Sequence, residues 1–333
     1  MPVRIGLNGF GRIGRYLTRL LARETGLELA MINARADNAT LAHLLKYDSI
    51  HGTYAGEIVP TEAGLAIDGH EVAVSRQDIG QWTWGAGGVD IVVETSGRVK
   101  DRAGLARHLD CGAKKAVIAA PAGDADLTVV MGVNDHLYDP ARHQVLSNAS
   151  CTTNCLAPAA KTVHEAFGIR HGHMTTVHAY TMNQRILDGS HKDLRRARAA
   201  ALSIIPTTTG AARAIGLVIP ELHGRLDGLS MRVPTANVSL VDLSCELERA
   251  TSAEEVNAVL RTAAEGPLAG HMGYTEVPLV SVDYTSNACG GVVDGLLTHV
   301  MDKTHLKLVV WYDNESGYSN QLVRLLRKMA ASL

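Results

Sequence analysis

The sequence predicts an α/β domain followed by an α+β domain, and three observations support this prediction. Over residues 1–150, short apolar runs alternate with helical segments, as parallel strands joined by helical crossovers require. After residue 151 the strands are longer and partly alternating, at residues 173–180 and 238–248, which is typical of a sheet with one wet face. The chain has 333 residues, enough for two domains.

The first domain opens with a strand, a glycine-rich turn and a helix. Residues 3–8 are apolar, Gly9, Gly11 and Gly14 follow at once, and apolar residues then recur at helical spacing. In this context G-x-G-x-x-G predicts a dinucleotide site, because the glycines let the backbone approach a pyrophosphate at a helix N-terminus. A plain glycine turn is the alternative. Further strands are predicted at residues 27–33, 72–74, 89–95, 116–119, 127–133 and 145–148, with a helix at 101–109.

The end of the second strand bears on the choice of cofactor. Dinucleotide-binding units usually carry an acid about 20 residues after the glycines, where it binds the adenosine ribose. Here Asn33 is followed by Ala34 and Arg35. A missing carboxylate beside a guanidinium favours a 2′-phosphate, so NADP use is predicted, either beside NAD or in preference to it. The alternative is a solvated Arg35, with Asn33 or Asp37 binding the ribose.

Composition limits the possible classes of function. The formal net charge of −2 predicts no general affinity for nucleic acid, so any anion site must be local. No apolar run reaches the ~18 residues of a membrane span. The five cysteines have no regular spacing, which indicates reduced thiols in a cytoplasmic enzyme. The amino terminus leads directly into a strand pattern, and we expect no signal peptide there.

The second half opens with a cysteine in a run of small polar residues, Ser147 to Cys155. Residues 156–167 can be helical, so Cys151 is expected in the first turn of a helix, whose dipole lowers the pKa of the thiol. A thiolate is a strong nucleophile. Ser252 opens a helix with a capping-box pattern, residues 306–312 predict a strand, and residues 320–329 predict an amphipathic terminal helix.

Several motifs together resemble the phosphorylating glyceraldehyde-3-phosphate dehydrogenases, and the resemblance covers nearly the whole chain. The strongest is Ser147 to Asn154 followed by Leu156-Ala157-Pro158, which resembles the active-site signature of the family. Other matching segments are residues 8–15, 46–49, 191–198, 203–210 and 311–315. The resemblance implies a Rossmann domain at 1–150 completed by the C-terminal helix 316–333, a catalytic domain at 151–315, and a homotetramer.

The resemblance also implies the reaction and its two catalytic residues. Cys151 would add to the aldehyde of glyceraldehyde 3-phosphate, hydride would pass to NAD or NADP, and inorganic phosphate would release the thioester as 1,3-bisphosphoglycerate. His178 would be the base, a task that suits a pKa near 7. Cys111, Cys245 and Cys289 are interpreted as packing residues. Cys155 is also interpreted as a packing thiol, since no cluster completes a metal site.

Binding residues follow from the same resemblance. Thr181 and Arg232 would bind the phosphate of the aldehyde. Ser150, Arg196, Thr209 and Gly210 would bind the attacking phosphate, with Thr152 nearby. Asn314 would bind the nicotinamide carboxamide. The remaining cofactor-binding candidates are Asn8, Gly9, Gly11, Arg12, Ile13, Gly14, Ala34 and Arg35.

The sequence departs from the family pattern at a few positions and leaves alternatives open. Ser316 stands where a tryptophan is usual, which predicts looser local packing, and Met182-Asn183 replaces Asn-Asp. Ala34 and Arg35 are similar to members that favour NADP and run in the biosynthetic direction. The alternative functions are erythrose-4-phosphate dehydrogenase, a dinucleotide-binding protein without chemistry, and, disfavoured, a cysteine hydrolase.

Overall fold

The computed structural model describes all 333 residues, which divide into two compact units. The first unit consists of Met1–Val129, Asp135–Ala149 and Leu322–Leu333. The second consists of Val130–Asn134 and Ser150–Gln321. No helix is both long enough and apolar enough to cross a membrane.

Seven α-helices and seventeen strands make up the chain. The helices are α1 Arg12–Leu21, α2 Asn38–Lys46, α3 Arg102–Asp110, α4 Cys151–Phe167, α5 Ala211–Val218, α6 Ala253–Glu265 and α7 Ser316–Ala330. The strands of the first unit are β1 Val3–Asn8, β2 Leu27–Asn33, β3 Ile58–Pro60, β4 Gly64–Ile67, β5 His70–Ser75, β6 Ile91–Glu94, β7 Lys115–Ile118, β8 Leu127–Thr128 and β9 Val145–Ser147. Those of the second unit are β10 Ile169–Ala179, β11 Ile205–Thr208, β12 Leu226–Val233, β13 Ser239–Leu247, β14 Met272–Thr275, β15 Gly291–Asp294, β16 His299–Met301 and β17 His305–Tyr312.

The first unit is built on a nine-stranded sheet in the order β3-β4-β5-β2-β1-β6-β7-β9-β8. From β5 to β8 every neighbouring pair is parallel, and β3 and β4 add an antiparallel edge. The central strands β1 and β6 are apolar and almost fully buried, as strands covered on both faces must be. Because β1, β2 and β6 are parallel, their carboxyl ends lie at the same edge of the sheet. The strand order reverses beside β1, and ligands of such sheets usually bind at the carboxyl ends where this reversal occurs.

The second unit carries an eight-stranded mixed sheet. Its order is β11-β12-β10-β13-β17-β15-β14, with β16 paired to β17. Strands β10, β13 and β17 form a long antiparallel centre, while β12 pairs with β10 in parallel. On β13 the buried and half-buried residues alternate strictly, so one face packs into a core. Side chains on this sheet therefore have fixed positions from which a site can be built.

The predicted combination of an α/β and an α+β architecture is confirmed. The predicted helix at residues 101–109 corresponds to α3, and the helix that follows Cys151 corresponds to α4. The predicted strand at residues 127–133 is too long, because only Leu127–Thr128 pairs in the sheet. The terminal helix begins at Ser316, as the family resemblance implies, rather than at residue 320, as the apolar periodicity predicts, and it ends at Ala330. The hairpin β3–β4 and helices α2 and α5 were not predicted.

Candidate active site

Cys151 is the first residue of α4, and the chain before it is arranged to start that helix. Ser150 is the N-cap, in extended conformation, and its Oγ accepts a hydrogen bond from the Thr153 amide at 3.0 Å. Cys151 is partly exposed, and its Sγ lies 3.5 Å from Nε2 of His178. The local sequence therefore places a thiol at the positive end of a helix and within reach of a base.

His178 lies near the end of β10 and is buried. Its Nδ1 is 2.7 Å from the carbonyl oxygen of Ala179, an acceptor, and 2.8 Å from Nη1 of Arg232, which can only donate, so the two contacts favour opposite tautomers. In the tautomer that donates from Nδ1 to Ala179, the lone pair of Nε2 faces Cys151, which is the arrangement that a general base requires. One edge of the ring also packs against Tyr312 in a T-shaped contact with ring centroids 5.8 Å apart.

The ionisation of the two groups differs from the sequence prediction. Desolvation raises the pKa of the Cys151 thiol, against the opposing effects of the Arg232 charge and of hydrogen bonds at Thr152, so the predicted lowering by the helix dipole is overcome. Burial, followed by the charge of Arg232, lowers the pKa of His178 to about 3. The pair is therefore a thiol beside a neutral imidazole, with Nε2 of the ring 3.5 Å from the sulfur.

Arg232, on β12, supplies a positive charge beside this pair. Its Nη1 lies 2.8 Å from Nδ1 of His178 and donates to the Ala179 carbonyl at 3.0 Å. No carboxylate lies within 4.0 Å of this guanidinium, and its buried Nε donates to nothing. Burial also lowers the pKa of Arg232. A desolvated guanidinium without a counter-charge is a ready anion site.

The other predicted phosphate ligands differ in their burial and in the hydrogen bonds that they already make. The side chain of Arg196 is largely buried, with its Nε 3.4 Å from Asp193 Oδ2. Its positive charge, like that of Arg232, lowers the pKa of His178, so both guanidinium groups act on the same imidazole. Thr181 and Thr209 are half-buried, and Gly210 is the exposed N-cap of α5. Thr152 is buried, and its hydroxyl lies 2.9 Å from that of Tyr312.

Two residues that the sequence did not single out hold the candidates in place. Tyr312 is fully buried, and its hydroxyl bonds to Thr152 and Thr176 at 2.9 Å each. Ser239 accepts from the Ala179 amide at 3.0 Å and donates to Asn314 Oδ1 at 2.9 Å, which leaves the Asn314 NH₂ group to face a ligand. Ser239 on β13 lies opposite Tyr312 on β17, and this pairing could not be predicted from sequence spacing because it depends on the register of the two strands.

Ser316 is fully buried at the start of α7, and it does not leave the helix end unsatisfied. Its amide donates to Asp313 Oδ1 at 2.7 Å, and the Glu315 amide donates to the same oxygen at 2.8 Å. The second oxygen of Asp313 accepts from Asn237 and from the Ser286 amide. At Ser316, where the family usually has tryptophan, the start of α7 is thus held by the buried carboxylate of Asp313.

In the first unit, the glycine turn fits a pyrophosphate. A Cβ at Gly9 would stand 2.6 Å from the backbone of Ser96, and φ there is +101°, so only glycine suits the position. A Cβ at Gly14 would lie 2.5 Å from the Gly9 carbonyl, whereas Gly11 faces open space. No side chain caps α1, and its first turn has no acid, so the turn can accept a bound anion. Asn8 and Ile13 flank these glycines.

Two arginines near this turn are engaged within the unit. Arg12 makes a bidentate ion pair with Asp48, at 2.7 and 3.1 Å. Although burial works to raise the pKa of Asp48, hydrogen bonds from Arg12 and from two backbone amides lower it to about 2. Ala34 is buried, and Arg35 pairs with Asp78 at the surface, both side chains being more than half exposed. A 2′-phosphate at Arg35 would therefore have to displace a carboxylate.

Comparison with known proteins covers most of the chain. Residues 3–102 match the NAD-binding domain of glyceraldehyde 3-phosphate dehydrogenase, and residues 150–314 match its C-terminal domain. The chain is 55% identical over 332 residues to glyceraldehyde-3-phosphate dehydrogenase of Geobacillus stearothermophilus, and 54% identical over 332 residues to that of Priestia megaterium. It is 54% identical over 331 residues to glyceraldehyde-3-phosphate dehydrogenase 1 of Bacillus subtilis. Each alignment spans 99% of both chains.

Proposed function

The chain belongs to the glyceraldehyde-3-phosphate dehydrogenase family, and from this premise we propose that Cys151 and His178 carry out the reaction. The protein is an NAD(P)-dependent oxidoreductase that converts glyceraldehyde 3-phosphate and inorganic phosphate reversibly into 1,3-bisphosphoglycerate. The observation that carries our assignment is the 3.5 Å contact of a thiol with an imidazole nitrogen, beside an uncompensated guanidinium.

The geometry supports the following sequence of bond changes. The sulfur of Cys151 adds to the aldehyde carbon, and His178 Nε2 moves the thiol proton to the carbonyl oxygen, which gives a hemithioacetal. Bound NAD or NADP supplies a hydride acceptor. As hydride leaves the carbon, His178 takes the hydroxyl proton and a thioester forms. Phosphate oxygen then attacks the thioester, the sulfur leaves as a thiolate, and the imidazolium returns its proton to it.

Two anion sites are required, and the arginines divide between them. We assign Arg232 and Thr181 to the phosphate of the aldehyde. Arg196, Ser150, Thr209 and Gly210 are assigned to the attacking phosphate. Support for the first assignment comes from the missing counter-charge at Arg232, which a phosphate would supply. Thr152 is assigned a place near the attacking phosphate, with its hydroxyl 2.9 Å from that of Tyr312.

The cofactor is assigned to the carboxyl edge of the first sheet. Asn8, Gly9, Gly11, Ile13 and Gly14 would surround the pyrophosphate. Asn314 would bind the carboxamide through the NH₂ group that Ser239 leaves available. Arg12 would act through its ion pair with Asp48, and Ala34 and Arg35 would set the cofactor preference. We propose residues 1–150 with 316–333 as the NAD(P)-binding domain and 151–315 as the catalytic domain.

Steady-state kinetics with and without phosphate tests the proposed reaction. We expect phosphate-dependent reduction of NAD or NADP with glyceraldehyde 3-phosphate as substrate. Replacement Cys151→Ser should abolish turnover, because a hydroxyl is a far weaker nucleophile, and should leave cofactor affinity unchanged. Cys289→Ser, in which another partly exposed thiol is changed, is the control. Retention of turnover in Cys151→Ser would refute the assignment.

The same assay decides the remaining alternatives. A kcat/KM that favours NADP would support the prediction from Ala34 and Arg35, whereas a strong preference for NAD would agree with the Arg35–Asp78 pair. The comparisons do not favour erythrose 4-phosphate as the substrate. A higher kcat/KM on that aldehyde would reverse this choice. Turnover itself would exclude a purely binding protein.

A homotetramer is the proposed assembly, and one segment of the second unit supports self-association. Between β10 and β11, large apolar side chains are exposed at Met182, Ile186, Leu187, Leu194, Leu202 and Ile204. Concentrations of exposed apolar residues mark interaction surfaces. A cytoplasmic location remains a prediction from composition and from the metabolic role of the family.

A further inference from the structure

A buried carboxylate stands at the ligand-binding edge of the first sheet without a cation beside it. Glu94 is the last residue of β6 and is 1% exposed. His108 faces it, with Nε2 3.2 Å from Oε2. Trp84 donates its indole N–H to Nδ1 of that ring at 3.0 Å, so the proton of the imidazole is on Nε2 and the ring is neutral. A buried charge of this kind is costly unless donors surround it.

Three donors surround Glu94, and two of them belong to the cofactor edge. The Ser96 amide donates to Oε1 at 2.6 Å, and the Asn8 side-chain NH₂ donates to Oε2 at 2.5 Å. His108 supplies the third donor. Asn8 directly precedes the glycine turn, so the carboxylate is one side chain removed from the proposed pyrophosphate site.

The hydrogen bonds continue from the end of β6 across the ends of β1, β2 and β5, and all of them run in one direction. The Asn33 NH₂ donates to Asn8 Oδ1 at 2.8 Å, and Asn33 Oδ1 accepts from the Gln77 amide and from the Ser75 hydroxyl. A carboxylate, which can only accept, stands at one end, and a backbone N–H, which can only donate, stands at the other. Both asparagine amides are thereby fixed in one orientation, with every polar atom satisfied.

The glycine turn packs directly on the residues that follow β6, where the Ser96 amide is bound by Glu94. Gly9 lies so close to Ser96 that a Cβ would meet its Cα at 2.6 Å. The Thr95 hydroxyl donates to the carbonyls of Asn8 and Gly9 at 3.1 and 2.9 Å. A shift of the Ser96 backbone would therefore move the turn that approaches the pyrophosphate.

We propose that Glu94 is a positioning residue for the dinucleotide, acting through Asn8 and Ser96 on the glycine turn and through Asn33 on the end of β2. This inference rests on the cofactor site proposed above. Glutamine has the same shape but cannot replace it. If the glutamine oxygen faces Asn8 and His108, its NH₂ group faces the Ser96 amide, so that two donors meet. In the flipped orientation the NH₂ group faces the donors of Asn8 and His108 instead.

Glu94→Gln tests the proposal through direct cofactor binding. The Kd for NAD of the cofactor-free protein, measured by calorimetry, should rise roughly tenfold or more, since a buried donor loses its acceptor. KM for NAD should rise with it, while kcat at saturating NAD changes far less. Glu28→Gln, on the same sheet but paired with Arg4 at the surface, is the control and should bind as wild type does. A Kd within about twofold of wild type in Glu94→Gln would overturn the proposal, even if the thermal midpoint falls.

Two further variants keep the test decisive. If Glu94→Gln does not fold, Ser75→Ala removes only a half-buried hydroxyl from the far end of the hydrogen-bonded series. Its Kd should rise about two- to fivefold, and an unchanged Kd would count against the proposal. Gly9→Ala tests the cofactor site separately from the role of Glu94. Wild-type affinity for NAD in Gly9→Ala would refute the proposed cofactor site. Lost affinity in Gly9→Ala together with unchanged affinity in Glu94→Gln would refute only the role of Glu94.

Discussion

At the scale of single residues, the reactivity of Cys151 depends on a proton transfer rather than on a preformed thiolate. Burial disfavours each charged form by itself, which raises the pKa of the thiol and lowers that of His178 to about 3. Moving the proton from Sγ to Nε2 creates two opposite charges about 3.5 Å apart, and these stabilise each other. Arg232 favours the thiolate but opposes the imidazolium, and a phosphate bound to it would relieve that opposition.

His178→Asn removes the proton acceptor and leaves a neutral polar side chain. We expect kcat to fall by about 10²- to 10⁴-fold, the usual contribution of a positioned base. Alkylation of Cys151 by iodoacetamide should slow near neutral pH and approach the wild-type rate at high pH, because the thiol must then ionise alone, with its raised pKa. His173→Asn, at an exposed histidine on the same strand, is the control. Wild-type alkylation at neutral pH in His178→Asn would contradict the ion-pair argument.

At the scale of elements, one buried hydroxyl joins the helix that carries the thiol to the strand that carries the base. Tyr312, at the end of β17, bonds to Thr152 on α4 and to Thr176 on β10. Cys151 is next to the first threonine, and His178 lies two residues after the second. The distance between sulfur and imidazole is therefore set by two hydrogen bonds that meet at a single oxygen, together with the ring contact of Tyr312 on His178.

Tyr312→Phe removes that oxygen and keeps the ring. Two buried threonine hydroxyls lose a partner, which should cost about 1–3 kcal/mol of unfolding free energy. Because small displacements of reacting groups are expensive, kcat should fall roughly tenfold while KM for the aldehyde stays nearly constant. Tyr284→Phe is a close control, since Tyr284 is also buried in this unit and its hydroxyl has no partner. Equal kcat values in the two variants would show that Tyr312 has only a packing role.

Sequence reasoning succeeded where an element has a local signal. The glycine turn, the helix after Cys151 and the capping box at Ser252 are all short-range patterns, and the structure has them. Tyr312 and Glu94 could not be predicted in this way, because their partners are far along the chain and meet only through sheet order. The Arg35–Asp78 pair was missed for the same reason, although both residues are visible in the sequence.

At the scale of the whole molecule, the exposed apolar segment between β10 and β11 is the feature that bears on assembly. Its six large apolar side chains lie on a loop that also carries Arg196, a predicted phosphate ligand. Isolated exposed leucines are normal on a protein surface, but such a concentration is not. If copies of the chain cover this segment, assembly also fixes the loop that carries Arg196 and the proposed anion site.

Leu194→Asp should therefore weaken both assembly and activity. Leu194 is 81% exposed in the single chain, so an aspartate there costs the isolated fold little, whereas burying its charge against another copy is costly. Light scattering coupled to size-exclusion chromatography should show a smaller species at micromolar concentration, with a circular dichroism spectrum like that of wild type. KM for phosphate should rise together with dissociation, because the loop carrying Arg196 loses its support. Leu137→Asp, at an exposed leucine of the first unit, should change neither property, and a Leu194→Asp protein of unchanged mass would place the interface elsewhere.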